Sequence, residues 1–130
     1  MTGPSTTRAC VLVVEDDDRL LMAIEDVLSD EGYEIRLARN GQIAIETLLS
    51  GFVPDVILLD LMMPGSSGFE VVNWVQQKGL GLPIILCTQE DDVQAADVGA
   101  VVKLCKPFTI EQLLDAVTRA LGAMSADARS

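Results

Sequence analysis

The chain has 130 residues, 49% of them hydrophobic, with nine basic residues against twenty acidic ones and a net charge of −11. That length suits one domain with a core of its own, and the chain is too apolar and too periodic to be disordered. The acidity argues against direct binding to nucleic acid or an anionic membrane, no apolar run is long enough to span a bilayer, and no basic-then-apolar signal segment opens the chain, so a cytoplasmic location is expected.

Residues 1–8 are polar and read as a flexible N-terminal tail. Residues 9–122 then alternate strand and helix signals. A first strand over 10–14 is followed by a helix with Leu20, Leu21, Ile24, Val27 and Leu28 on one face, ended by Glu31-Gly32. A second strand over 34–38 alternates polar and apolar residues, as an edge strand does. Asn40-Gly41 marks a turn, and a second helix carries Ile43, Ile45, Leu48 and Leu49 before stopping near Gly51. A third strand spans 55–59. After the loop Pro64-Gly65-Ser66-Ser67-Gly68, Ser67 and Glu70 have capping-box spacing at the start of a third helix, which buries Phe69, Val72 and Val75 or their neighbours. A fourth strand covers 83–87. The polar stretch 89–97 holds at most a short helix, and a fifth strand covers 100–105. Thr109 and Gln112 again have capping-box spacing, ahead of a last helix with Ile110, Leu113, Leu114, Val117 and Leu121 on one face. Residues 123–130 read as a flexible C-terminal tail.

Strands alternating with helices, nearly all of them apolar throughout, imply an α/β fold: a doubly wound five-stranded parallel sheet covered on both faces. Right-handed crossovers and an edge-like second strand favour the strand order 2-1-3-4-5. Four apolar strands each close on polar residues: Glu15-Asp16-Asp17, Asp60, Thr88 and Lys106-Pro107. In such a sheet the carboxyl ends share one edge, where ligands bind. Glu15, Asp16 and Asp60 would repel one another unless a cation joined them, and a few carboxylates with room for water and phosphate suit Mg²⁺. Asp60, the lone acid on its strand, is the candidate nucleophile for an aspartyl phosphate. Lys106 supplies a cation for the transferring group and Thr88 a hydroxyl. An acid after a strand is usually just a helix cap, as expected for Asp17 or Asp18. The set at four strand ends, rather than any single member, carries the functional reading.

The chain has three cysteines and no histidine. The cysteines lack zinc spacing and are expected to be buried free thiols, while the lack of histidine removes Ser-His and Cys-His nucleophile systems and most metal sites.

The segments VLVVEDD, DVILLDLMMPGSSGFE, PIILCT and KPF resemble the receiver domain of two-component response regulators over about residues 9–121. That resemblance implies a flavodoxin-like receiver fold, with the same strand order, and a signalling switch rather than an enzyme, one that assists its own phosphorylation and dephosphorylation. By position it implies Asp60 as phosphoacceptor, Thr88 as switch hydroxyl and Lys106 as the phosphate-binding lysine. It further implies a Mg²⁺ site of Glu15, Asp16, Asp60 and the Met62 backbone carbonyl, and a cis Lys106–Pro107 bond, which proline permits. The implied partners are a histidine kinase or phosphotransfer protein and a downstream protein or an output domain outside this chain.

Three features depart from the family pattern. Seventeen residues, 89–105, separate Thr88 from Lys106, so a shortened fourth helix is expected. Lys103 stands where the family commonly has an aromatic ring, and Gln89 stands where a small residue is common. The fourth-helix output face should therefore be reshaped, and Lys103 should lie on the surface beside the acids of 90–97. A pseudo-receiver, acting as a phosphorylation-independent protein-interaction module, is the alternative reading. A haloacid-dehalogenase-type phosphatase would need an acid at Met62. A nucleotide-binding flavodoxin-like protein would place a phosphate loop where Glu15-Asp16-Asp17 stand.

Overall fold

Five short runs of mostly branched apolar residues pair as parallel strands, and the helices between them cover both sheet faces. The computed structural model describes residues 8–63, 66–89 and 102–129. The elements are β1 (Cys10–Val14), α1 (Asp18–Asp30), β2 (Glu34–Ala38), α2 (Gly41–Leu49), β3 (Val56–Asp60), β4 (Met62–Met63), β5 (Ser66–Ser67), α3 (Gly68–Gln77), β6 (Ile84–Thr88), β7 (Val102–Cys105) and α4 (Ile110–Arg129). The main sheet has the order β2-β1-β3-β6-β7. Numbered within the sheet, that is the expected 2-1-3-4-5. The short pair β4–β5 is antiparallel and immediately follows β3.

The central strands β3 and β6 are buried at every position, whereas β2 alternates, as an edge should. The register Val13↔Leu58 and Leu58↔Ile85 brings the carboxyl ends of β1, β3 and β6 to one edge. Side chains alternate across the sheet. Leu12, Val14, Ile57, Leu59, Ile84 and Leu86 pack against α2 and α3 on one face. Val11, Val13, Val56, Leu58, Ile85 and Cys87 pack against α1 and α4 on the other.

Helix ends follow local chemistry. Asp17 caps α1, its side chain accepting from the Arg19 and Leu20 N–H groups, and Gly32 (φ 91°) turns the chain out of the helix. Asn40 caps α2 by accepting from Ile43 N–H. Thr109 and Gln112 form the reciprocal capping box before α4: Gln112 N–H donates to Thr109 Oγ1 and Thr109 N–H to Gln112 Oε1.

Several expectations need correction. Ile43 and Leu49 of α2 are exposed; its buried residues are Gly41, Ala44 and Leu48. In α3, Val71, Val72 and Val75 are buried while Phe69 is exposed, and Ile110 of α4 is exposed likewise. The third and fourth strands begin and end one residue later than expected, so that Asp60 and Thr88 are the last residues of β3 and β6. Of the cysteines only Cys87 is buried; Cys10 is intermediate and Cys105 exposed. α4 continues through Arg129, into residues read as a tail, because Ala, Met and Arg continue a helix readily and no proline stops it. Gln89 is exposed, and Lys103 is half-buried opposite Leu86 rather than fully on the surface. The expected short fourth helix and the acids of 90–97 lie outside the described residues.

Candidate functional site

Backbone rungs just past the strand ends hold the site. Glu15 N–H donates to Ala38 O at 3.0 Å, Leu61 N–H to Cys87 O at 3.1 Å, and Lys106 N–H to Thr88 O at 2.9 Å. Each bond extends the parallel ladder by one residue, so the polar residues that close the strands are fixed relative to one another. The Lys106–Pro107 peptide is cis.

Among the described residues, the buried polar or charged side chains are Glu15, Asp60 and Thr88, 2%, 4% and 1% exposed. All three lie at this edge, although burying ionisable groups is costly unless they are paired. The pairing comes from Lys106, which reaches in from beyond β7. Its Nζ donates to Glu15 Oε1 at 2.9 Å and lies 3.3 Å from Asp60 Oδ2. The second Glu15 oxygen accepts from Asp17 N–H at 3.1 Å. One ammonium thus bridges two carboxylates, and Asp16 adds a third at the mouth of the site, exposed to solvent.

The electrostatics follow from this shortage of positive charge. Burial pushes the Glu15 carboxyl above the ordinary carboxylate range. The Lys106 hydrogen bond and the Asp17 N–H pull the other way, while the Asp60 charge pushes it further up. Burial alone would lower the Lys106 ammonium, but the hydrogen bond to Glu15 and the charges of Asp60 and Glu15 outweigh it and hold it above its ordinary value. The two directions agree, because one lysine facing two acids is strongly held and only partly compensates the buried Glu15. Cys87, buried beneath the acids, is pushed up to about 12, first by burial, with Lys106 opposing and Asp60 and Glu15 adding. Its thiol is inert near neutral pH.

One carboxylate oxygen from each of Glu15, Asp16 and Asp60 lies within 4.8 Å of the others. Opposite ligands on an octahedral Mg²⁺ stand roughly 4.2 Å apart, twice the metal–oxygen distance. The hard-oxygen donors therefore fit such an ion with a small contraction, and its charge would offset the acid excess.

Of the residues singled out from sequence, Glu15, Asp60 and Lys106 are in direct contact, Asp16 joins the acids, and Thr88 is buried at the end of the strand beside Asp60's. Met62 begins β4, two residues after Asp60. Gly68, at the end of the expected loop, opens α3. A Cβ there would sit 2.7 Å from the Asp60 carbonyl oxygen and 2.9 Å from Leu61 Cα, both rigid backbone. Gly68 N–H also donates to Leu61 O at 3.1 Å. Only glycine lets the first turn of α3 pack this closely behind Asp60. A glycine opening a helix a few residues after an acid-ended strand is the signal that could have pointed to it.

Known proteins resemble the chain throughout this region. The family model for the response regulator receiver domain matches residues 11–118. The transcriptional regulatory protein DltR of Streptococcus agalactiae is 40% identical over 108 residues, covering 80% of this chain and 48% of that protein. The response regulator MprA of Mycolicibacterium vanbaalenii is 39% identical over 108 residues, covering 80% and 46%. The chain therefore spans about half the length of the curated relatives it matches. Among solved structures, the chemotaxis response regulator CheY4 of Vibrio cholerae aligns with a TM-score of 0.79 at 35% identity, over 88% of this chain and all of that one. A CheY-like receiver domain protein of Methanospirillum hungatei aligns with a TM-score of 0.84 over 93% of this chain and 99% of that one; at 21% identity it speaks to the fold alone.

Proposed function

The chain belongs to the response regulator receiver domain family of two-component signalling, and from that premise we propose that it is a phosphorylation-dependent switch with Asp60 as the phosphoacceptor. The observation that carries this reading is the Lys106 ammonium held between the buried carboxylates of Glu15 and Asp60 at the carboxyl edge of the sheet. One cation for two buried acids with a third acid beside them leaves an excess of negative charge in one place. Such a set is incomplete until more positive charge arrives.

In the proposed reaction an Asp60 carboxylate oxygen attacks the phosphorus of a phosphohistidine on a histidine kinase or phosphotransfer protein. An oxygen–phosphorus bond forms, the phosphorus–nitrogen bond breaks, and the electron pair returns to the imidazole nitrogen. Glu15, Asp16, Asp60 and the Met62 carbonyl would hold Mg²⁺, which when bound supplies positive charge to the transferring group. Lys106 stays ionised throughout and passes from a carboxylate partner to a phosphoryl oxygen, a charge-assisted contact. Thr88, anchored at the end of β6, offers its hydroxyl to another phosphoryl oxygen. The added charge, close to −2, then biases the domain between two conformations that a downstream protein or output domain distinguishes.

Incubation with Mg²⁺ and phosphoramidate, followed by intact-mass measurement, tests the reading. One phosphoryl group per chain is expected in the wild type and none in Asp60→Asn. Equal incorporation in the two would show the assignment to be wrong. No incorporation in either, with a folded protein, would favour a phosphorylation-independent interaction module.

A further inference from the structure

A second concave feature lies at the opposite end of the molecule. The ends of α2 and α3 and the segments leading into β3 and β6 enclose a cavity of about 320 Å³, lined by Leu49, Phe52, Val53, Trp74, Lys78 and Leu80 among others. Because β3 and β6 begin there and end at Asp60 and Thr88, a full strand, roughly 15 Å, separates the two sites. Leu49, Val53 and Leu80 are 65%, 69% and 42% exposed. They are three of the seven large hydrophobics exposed among the described residues, gathered at one groove.

Lys78 lines this groove, and Arg36, which does not, stacks on a ring that does. The Arg36 guanidinium lies 4.6 Å from the centre of the Phe52 ring, and the Lys78 ammonium 5.8 Å from that of Trp74. Arg36 pairs with Leu12 in the β1–β2 register, which puts it on the α2–α3 face. Among the described residues, Arg39, Lys106 and Arg119 are ion-paired with carboxylates, whereas Arg36 and Lys78, like Arg8 and Arg19, are not. In a protein with twenty acids and nine bases, two cations held by aromatic rings rather than by acids leave positive charge beside an apolar groove. Cations over rings gain little from them when exposed, so they keep most of their capacity for an anion.

We propose that this groove binds a small organic anion with a flat apolar body, of the aryl carboxylate class. The ring system lies against Phe52, Trp74 and Leu80, and the carboxylate meets Lys78, with Arg36 adding positive charge at the Phe52 ring. The volume supports a small molecule, since it reaches the lower end of the range of ligand cavities and exceeds what one anchoring side chain fills. Bound there, the anion bridges α2 and α3 at a distance from the acid site, so binding does not require Asp60.

The test uses 2-naphthoate and its neutral analogue 2-naphthylmethanol with the ¹⁵N-labelled chain. Trp74 is the chain's one tryptophan, so its indole N–H signal reports the groove without ambiguity. Naphthoate should shift that signal and the amides of 49–53 and 78–82 saturably, and should bind about tenfold more tightly than the alcohol, as expected for a charge-assisted contact. Arg36→Gln and Lys78→Gln should each weaken naphthoate severalfold without changing alcohol binding. Lys78→Arg should restore it, and Asp60→Asn should bind normally. Equal affinity for acid and alcohol, unchanged binding in the Arg36→Gln/Lys78→Gln double variant, or no saturable shift would overturn the proposal. It would also fail if an acidic, leucine-anchored helical peptide moved these signals and naphthoate did not, because the groove would then be a protein-docking surface.

Discussion

At Lys106 a single ammonium faces two buried carboxylates, and the titration of Lys106 and Glu15 reflects that. The folded-state value of Lys106 lies above the ordinary 10.5, so its stabilising contribution is complete below that pH and is lost as pH rises through the folded value. Glu15 is also raised, from an ordinary 4.5. For an acid that sign means stability present below the unfolded value and lost as pH rises through the folded one, because ionising Glu15 in the core costs free energy. Lys106→Met should therefore destabilise the fold by up to about 3 kcal/mol at pH 7, where it strands two buried acids. The deficit should shrink in acid as Glu15 takes up a proton, and above pH 10.5 as the wild-type lysine loses one. Urea melts of both proteins from pH 4 to 11 would show this; a deficit independent of pH would contradict it. The acids, the lysine and the threonine were legible in the sequence because each closes an apolar run. That Lys106 touches Glu15 more closely than Asp60 was not, since it depends on side-chain reach across three strands.

Element boundaries came from the sequence where caps or turns state them, as at Asp17, Asn40, Gly32 and Thr109. They were missed where packing decides. In α2 the apolar spacing pointed to Ile43, Ile45, Leu48 and Leu49, and Leu48 is buried, but the other buried positions are the small Gly41 and Ala44 while Ile43 and Leu49 are exposed. Small residues carry no hydropathy signal in proportion to their role. The same applies to α3, whose first residue, Gly68, sits against the Asp60 carbonyl. Gly68→Ala must push the helix back from β3, at about 1–3 kcal/mol by the usual cost of overpacking, and must shift the backbone that carries Asp60. It should lower the melting temperature and slow phosphoryl incorporation more than an exposed α3 substitution such as Asn73→Ala. A variant with wild-type stability and rate would show that α3 has slack there. The phase of α3 was legible, since Val72 and Val75 are buried as expected; only Phe69 departs, its place on the buried stripe taken by Gly68 and Val71.

For the whole molecule, the sheet order was legible because almost all-apolar strands with helical crossovers leave few alternatives, whereas the α2–α3 groove was not, since it arises where elements end. Acid crowding at one edge also predicts a linkage: a divalent cation bound by the folded state alone stabilises it by mass action. Melting temperatures should rise with added Mg²⁺, which one or two carboxylates with retained waters hold, and the rise should be much smaller in Asp16→Ala. An equal rise in that variant would remove Asp16 from the cation site. The uneven exposure of the three thiols has a practical consequence. Cys87 is buried and pushed up to about 12, Cys10 is half-buried and also raised, chiefly by burial, and Cys105 alone is exposed. Cys105 also pairs with Thr88 in the β6–β7 ladder and directly precedes Lys106. A maleimide dye added to the native protein should label Cys105 first, placing a reporter on the rung between those two residues. Its emission could then follow switching in real time with no engineered attachment point.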